Sequence, residues 1–262
     1  MKTLIILALL GLSSTASAQL LLKDGEVHTV SGDVLPRASV LVAADGTISA
    51  VDTVILPPPG IEVIDCTGKI ITPGMVETQS ALGAVEIWAV KQTRDNNLES
   101  DPIRAAFRVA DGINPRSTIA PVVRAGGITS VVSSPSGGLI SGQGAWIDLA
   151  GDGVFLTVAR PSIAFFAQYG EGAASVAGGT RGGTALMFRE LFDDVQFFKK
   201  NQRLFDENRS RHLAASRLDL LALETTLDGS VPMVFSANRA SDITAALDLA
   251  KAFNIRPIIA GG

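Results

Sequence analysis

At 262 residues, 47% of them hydrophobic, with a net charge of −4 and a single cysteine, the chain has the composition of a folded protein, large enough for one sizeable α/β domain or two smaller units. The acid excess leaves no basic footprint for nucleic acid, and one cysteine excludes an internal disulfide. Low aromatic content and 26 glycines point to many short strands and tight turns.

Residues 1–18 read as an export leader. Lys2 supplies the positive start, Thr3 to Gly11 an apolar run, and Ser13 to Ala18 a small-residue stretch with Ala16 and Ala18 in the A-x-A positions. The run is shorter than the about 20 residues that span a bilayer, so it is a secretory signal and not an anchor. The expected location is exported, periplasmic or secreted, with the mature chain starting at Gln19 and no membrane association after the signal is removed.

Residues 19–68 read as a small all-β unit. Ala38 to Ala43 and Thr47 to Val51 flank Asp45-Gly46, a hairpin signal, and Leu56-Pro57-Pro58-Pro59-Gly60 is a surface turn because consecutive prolines cannot donate to a ladder. Cys66 sits in an alternating stretch and is expected in a strand. From Lys69 the pattern changes. The run Ile70 to Val76, Ile128 to Val132, Val231 to Phe235 and Arg256 to Ala260 are apolar enough for strands buried on both faces, as in parallel sheets. Met187, Leu191, Val195 and Phe198 recur on one face of a helix, and Ile243, Leu247 and Ala250 on a shorter one with Ser241 at its N-cap position. Strands alternating with helices predict βα units on a parallel sheet, with Trp146 to Leu149 and Val154 to Val158 as an inserted hairpin through Gly151-Asp152-Gly153.

Asp65, Gly68, Lys69, Pro73 and Gly74 form an Asp-x-x-Gly-Lys stretch running into Pro-Gly. Here the chain resembles the amidohydrolase superfamily: Gly126 to Val132 looks like its second strand, Ser141 to Ala145 like a loop of its exported, imidazolonepropionase-like branch, and Val234 to Ile243 like a later strand and helix start of that branch. The resemblance implies a (β/α)8 TIM-type barrel beside a small β-sandwich portion, here incomplete with five to six barrel strands over 69–262. It also implies metal-assisted hydrolysis of non-peptide carbon–nitrogen bonds in amides or cyclic amides. The family places an acidic residue and then His-x-His after the Pro-Gly. This chain has Glu77 at the acidic position, Gln79 and Ala81 where the histidines would be, and Ser236 where a later strand offers another ligand.

Zinc requires several imidazoles, thiolates or carboxylates converging at about 2 Å. A glutamine amide, a methyl group and a hydroxyl do not supply them, so no metal or other cofactor is expected. The two histidines, His28 and His212, lie far in sequence from the strand ends. Glu77 is the one catalytic candidate, as a general base assisted by Glu86 or Asp95, against the alternative of a solvated strand end. Gln79, Ser236, Asn238 and Arg239 are pocket candidates, Arg239 with Asn238 suited to grip a carboxylate. The glycine pairs Gly137-Gly138, Gly142-x-Gly144, Gly178-Gly179 and Gly182-Gly183 lack the Gly-Lys-Ser/Thr of a phosphate loop and are expected in flexible loops. Family barrels have eight strands, so the expectation is either a fragment of a longer protein or a chain completed by a partner. Three functions stay open: a pseudoenzyme that binds a small amide-like ligand or assembles with a paralogous amidohydrolase subunit, an enzyme of altered mechanism, and a truncated product without function.

Overall fold

The structure, a computed structural model, describes residues 18–99, 101–150 and 154–262. The leader over 1–18 therefore lies outside the described residues, apart from Ala18, and so does the Gly151-Asp152-Gly153 turn. The chain divides into two compact units at Pro73/Gly74. It is a mixed α/β protein with a curled, half-barrel sheet of six strands and a second sheet of five.

The first unit is one sheet. β1 (Ala18–His28) is flanked by β2 (Val34–Ala43), which pairs antiparallel to β3 (Ile48–Asp52), and on its other side by β4 (Glu62–Asp65) and β5 (Ile70–Ile71), both parallel to it. The Asp45-Gly46 turn is the expected hairpin. Gly46 takes φ +82°, and the Asp45 carboxylate accepts from the Thr47 backbone N–H and hydroxyl at 3.0 and 2.7 Å. Cys66 lies one residue beyond β4 rather than within a strand, buried in the turn that returns its N–H to Lys23 O. The apolar run at 70–76 is divided: Ile70-Ile71 pairs with β1, because the rigid, donor-less Pro73 interrupts the ladder.

In the second unit the strands are β6 (Met75–Ser80), β7 (Ile128–Ser133), β8 (Ile140–Asp148), β9 (Thr157–Gln168), β10 (Met233–Ser236) and β11 (Pro257–Ala260), side by side in chain order. The all-parallel expectation is corrected here. β8 runs antiparallel to both neighbours, while the β6–β7, β9–β10 and β10–β11 pairs are parallel. The expected hairpin is real but is no insertion. It extends from Ile140 to Gln168 and forms the middle of the sheet, where the alternation of Ala164 and Phe166 with Phe165 and Ala167 serves both faces. Burial on both faces holds for the central strands only. In the outer strands Met75, Val76 and Ile258 are 56%, 42% and 47% exposed, and no described strand pairs with the free edge of either β6 or β11.

The helices are α1 (Ala120–Ala125), α2 (Glu171–Ala174), α3 (Arg181–Asp206), α4 (Arg217–Leu227) and α5 (Ala240–Ala252). α3 carries the predicted stripe. Leu191, Val195 and Phe198 are fully buried together with Phe188 and Phe192, against Phe165, Phe235 and Tyr169 of the sheet. Each such side chain contributes about 1.5–3 kcal/mol of burial. The helix kinks at Asn201 (φ −133°), whose side-chain amide donates to Phe197 O at 2.9 Å. Ser241 does not cap α5. Arg239 holds the cap position without a side-chain bond, Ser241 lies inside the first turn, and Leu247 is exposed while Asp242, Ala246, Leu249 and Ala250 face inward. Among the described residues no helix is long and apolar enough to cross a membrane.

Candidate functional site

β9 and β10 end in register, Gln168 opposite Ser236, with the Tyr169 N–H donating to Ser236 O at 3.0 Å. The chain then turns into α2 on one side and α5 on the other. Between them opens a cleft of about 280 Å³ lined by Gln168, Tyr169, Ser236, Asn238, Arg239 and Asp242, with Glu171 and Gly172 at the rim. Asp242, 5% exposed, and Glu171 share one cation. Arg181 lies 3.1 Å from Asp242 and 2.7 Å from Glu171. These contacts hold the Arg181 guanidinium pKa above its usual value, the Asp242 hydrogen bond first. Asn238 Oδ1 accepts from the Gly262 N–H at 3.3 Å. Arg239 is exposed and has no acidic partner among the described residues. The cleft thus offers two hydroxyl-bearing residues, two carboxamides, a carboxylate pair sharing Arg181 and one guanidinium without a direct acidic partner, groups that bind a small polar ligand.

Three of the pocket residues expected from the sequence, Ser236, Asn238 and Arg239, are brought together here. Gln79 is elsewhere. With Thr78 it borders a depression of about 460 Å³ on a sheet face formed by Val132, Ala164, Phe166 and Val234 and reaching Ala260-Gly261. Glu77 lines neither. It is exposed on β6, and its carboxylate accepts from the Gln79 N–H at 2.9 Å. Its proposed helpers do not converge on it. Glu86 accepts from the Asn114 side chain at 3.2 Å, and the backbone of Asp95 is tied to Ala84 O at 2.7 Å.

The donor set does not fit the metal that the family resemblance implies. Gln79, Ala81 and Ser236 occupy the expected positions, His28 is a β1 residue bonded to Glu26 at 2.6 Å, and His212 is exposed beyond α3. Among the described residues no three His, Cys, Asp or Glu side chains group as metal ligands. The glycine pair Gly137-Gly138 is not a flexible loop. Both residues adopt positive φ and press on the buried Arg104, where a Cβ at Gly137 would stand 2.7 Å from Asn97 Oδ1 and one at Gly138 would stand 2.8 Å from Pro102 O.

Sequence reasoning missed a second polar cleft, of about 290 Å³, in the long connection from β6 to β7. Trp88, Lys91, Arg94 and Asn96 line it. The available signal was the unusual density of cationic and amide residues around one tryptophan, in a segment without strand or helix periodicity.

No protein-family profile matches the chain. In structure it is similar to an amidohydrolase from Thermotoga maritima, with a TM-score of 0.77 and 27% identity over 92% of this chain and 64% of that one. In sequence it is similar to the amidohydrolase tasK of Hapsidospora irregularis, 28% identical over 104 residues, which are 40% of this chain and 10% of that protein. The chain therefore spans less than two-thirds of either relative. The Pro-Gly entry into β6, the half-barrel sheet and these two likenesses agree, and together they support a member of the amidohydrolase superfamily.

Proposed function

We propose that this chain does not use the family's metal chemistry and that its strand-end cleft holds a small amide-like ligand. The nominal reaction of its class is hydrolysis of non-peptide carbon–nitrogen bonds in amides or cyclic amides. There a bound metal lowers the pKa of water to about 7 for attack on the carbonyl. The observation that carries the reading is the donor set: Gln79, Ala81 and Ser236 stand where imidazoles would be required. In this reading the six strands of the second unit are part of a (β/α)8-type barrel, the first unit is its β-sandwich portion, and the leader at 1–18 directs export to the periplasm or beyond. The branch nearest in motif is the imidazolonepropionase-like one.

Metal analysis of the purified full chain, produced in medium supplemented with zinc and iron, tests the reading together with an amide-hydrolysis assay. Substoichiometric metal and no chelator-sensitive hydrolysis are expected. Stoichiometric metal that is lost in Gln79→Ala or Glu77→Gln would overturn it. Hydrolysis that survives chelators and disappears in Glu77→Gln would instead make it an enzyme of altered mechanism.

One observation favours a second role, assembly with a paralogous amidohydrolase subunit. β6 and β11 are outer strands with exposed apolar side chains, and such edges ordinarily require a cover. Co-purification with a second barrel protein is the expected outcome of that role, and a monodisperse monomer in the native host extract would remove it.

A further inference from the structure

The connection after β6 is wound tightly around Thr93. Its hydroxyl lies 2.9 Å from both Ile87 O and Val90 O, either of which can take its one proton, and accepts from the Ile87 N–H at 3.1 Å, while Glu86 N–H reaches Thr93 O at 3.1 Å. The next residues are pinned to the loop after β7, since the Ser136 N–H donates to Asn96 O at 2.8 Å. Beneath them Arg104, 7% exposed, donates to Asn97 Oδ1 at 2.7 Å, to Ser136 O at 3.3 Å and to Asp101 O. The result is a walled cleft of about 290 Å³ that shares no residue with the one at Arg239.

Three features of its lining are unspent. Asn96 is only 4% exposed, yet its carboxamide makes no hydrogen bond to any described residue. Asn96 nevertheless lines the cleft. Buried amides are ordinarily matched by a partner. Lys91 is engaged by Glu99 at 2.8 Å, which leaves Arg94 as a guanidinium without a carboxylate among the described residues. The Glu99 carboxyl is held below its usual range by the Lys91 hydrogen bond first and the Lys91 charge second, with Arg94 and Arg104 adding to the positive field. Trp88, 65% exposed, presents its indole as one wall.

We propose that this cleft binds a small monocarboxylate that carries a secondary amide and a planar ring, an N-aroyl amino acid in class, with Arg94 holding the carboxylate, Asn96 pairing with the amide and Trp88 stacking on the ring. A carboxamide offers a donor and an acceptor together, which is what a secondary amide requires. One free guanidinium beside a glutamate suits a single negative charge and disfavours a phosphate dianion. The volume lies at the small end of ligand pockets, about 300–1,000 Å³, and excludes a long peptide. The site stands independently of the function proposed above, because none of its residues belongs to the strand-end cleft.

The test is calorimetric titration of the full chain with N-benzoylglycine and with its methyl ester. The acid is expected to bind about tenfold more tightly than the ester, a preference that Arg94→Met abolishes and that Arg116→Met, at an exposed arginine lining neither cleft, leaves intact. Arg94 is exposed, so its substitution is compatible with folding. Equal binding of acid and ester, absence of saturable binding by either, or a preference that survives Arg94→Met overturns the assignment. Loss of the preference in Arg239→Met alone also overturns it, and would place the carboxylate in the strand-end cleft.

Discussion

Replacing Gly137 by alanine tests whether the floor under the Trp88–Asn96 cleft is a fixed structure. Gly137 has φ +78°, a backbone state that costs an L-residue with a Cβ about 1–2 kcal/mol. A Cβ there would also lie 2.7 Å from Asn97 Oδ1 and 3.2 Å from Arg104 Nη1, the two atoms of the 2.7 Å bond that anchors the buried guanidinium. A hydrogen bond to a charged group is worth about 1.5–3 kcal/mol, of which water recovers a part because Asn97 is exposed. The expected total is about 2–4 kcal/mol. Gly178 supplies the control within the same unit. Its φ is +72°, and nothing lies within 4 Å of its virtual Cβ, so Gly178→Ala carries the backbone cost alone, about 1–2 kcal/mol. Urea unfolding of both variants, at unchanged slope, measures the difference. Equal destabilisation would refute the reasoning, because it would mean that Asn97 swings aside freely and Arg104 needs no partner there.

Two further outcomes are expected. The chain has one tyrosine, Tyr169, whose phenol is pushed up by burial first, against a lowering by the Arg189 charge, with smaller upward contributions from Asp242 and Asp248. With the folded value above the unfolded one, the stability it contributes is complete below the ordinary tyrosine range and declines as the pH rises through the folded value. Phenolate absorbance should therefore appear later in the native protein than in urea, and coincident titrations would contradict the buried placement. Ser216 caps α4, accepting from the Asp219 N–H at 3.3 Å, so Ser216→Ala should cost about 1 kcal/mol in urea unfolding. Ser241→Ala, inside the first turn of α5, should cost less than half as much, and the reverse order would restore Ser241 as a cap.

What the sequence showed and what it hid follow from the range of the interactions involved. The Asp45-Gly46 hairpin and the α3 stripe rest on local chemistry and periodicity, and both are visible in a single chain. The direction of β8 is not. Gly142-x-Gly144 reads as a flexible loop, yet it lies within the strand Ile140–Asp148, and only the pairing of Val132 with Trp146 and of Gln143 with Phe165 fixes that strand as antiparallel. Ser241 has the right residue type for an N-cap, but α5 begins two residues earlier than that cap would set, directly after Arg239. For the site, Ser236, Asn238 and Arg239 are neighbours in sequence and remain so in space, lining one cleft. The motif position could not show that Gln79 borders another depression, since that depends on where the outer strand β6 lies on the sheet. The Trp88–Asn96 cleft was illegible for a related reason. Two of its lining residues, Asn97 and Ser136, are tied together by Arg104, and no pattern in the sequence announces that these segments meet.

The reversed strand β8 has a consequence for the polarity of the whole six-stranded sheet. A single antiparallel member between β7 and β9 reverses the chain's sense twice, so the reversals cancel, and β6 and β11 point the same way. The two open margins are thus of matching sense. A run of parallel strands joined to β11 would arrive at β6 still parallel to it, as a barrel that closes on itself requires. The hairpin departs from the regular βα alternation without disturbing the direction on which closure depends.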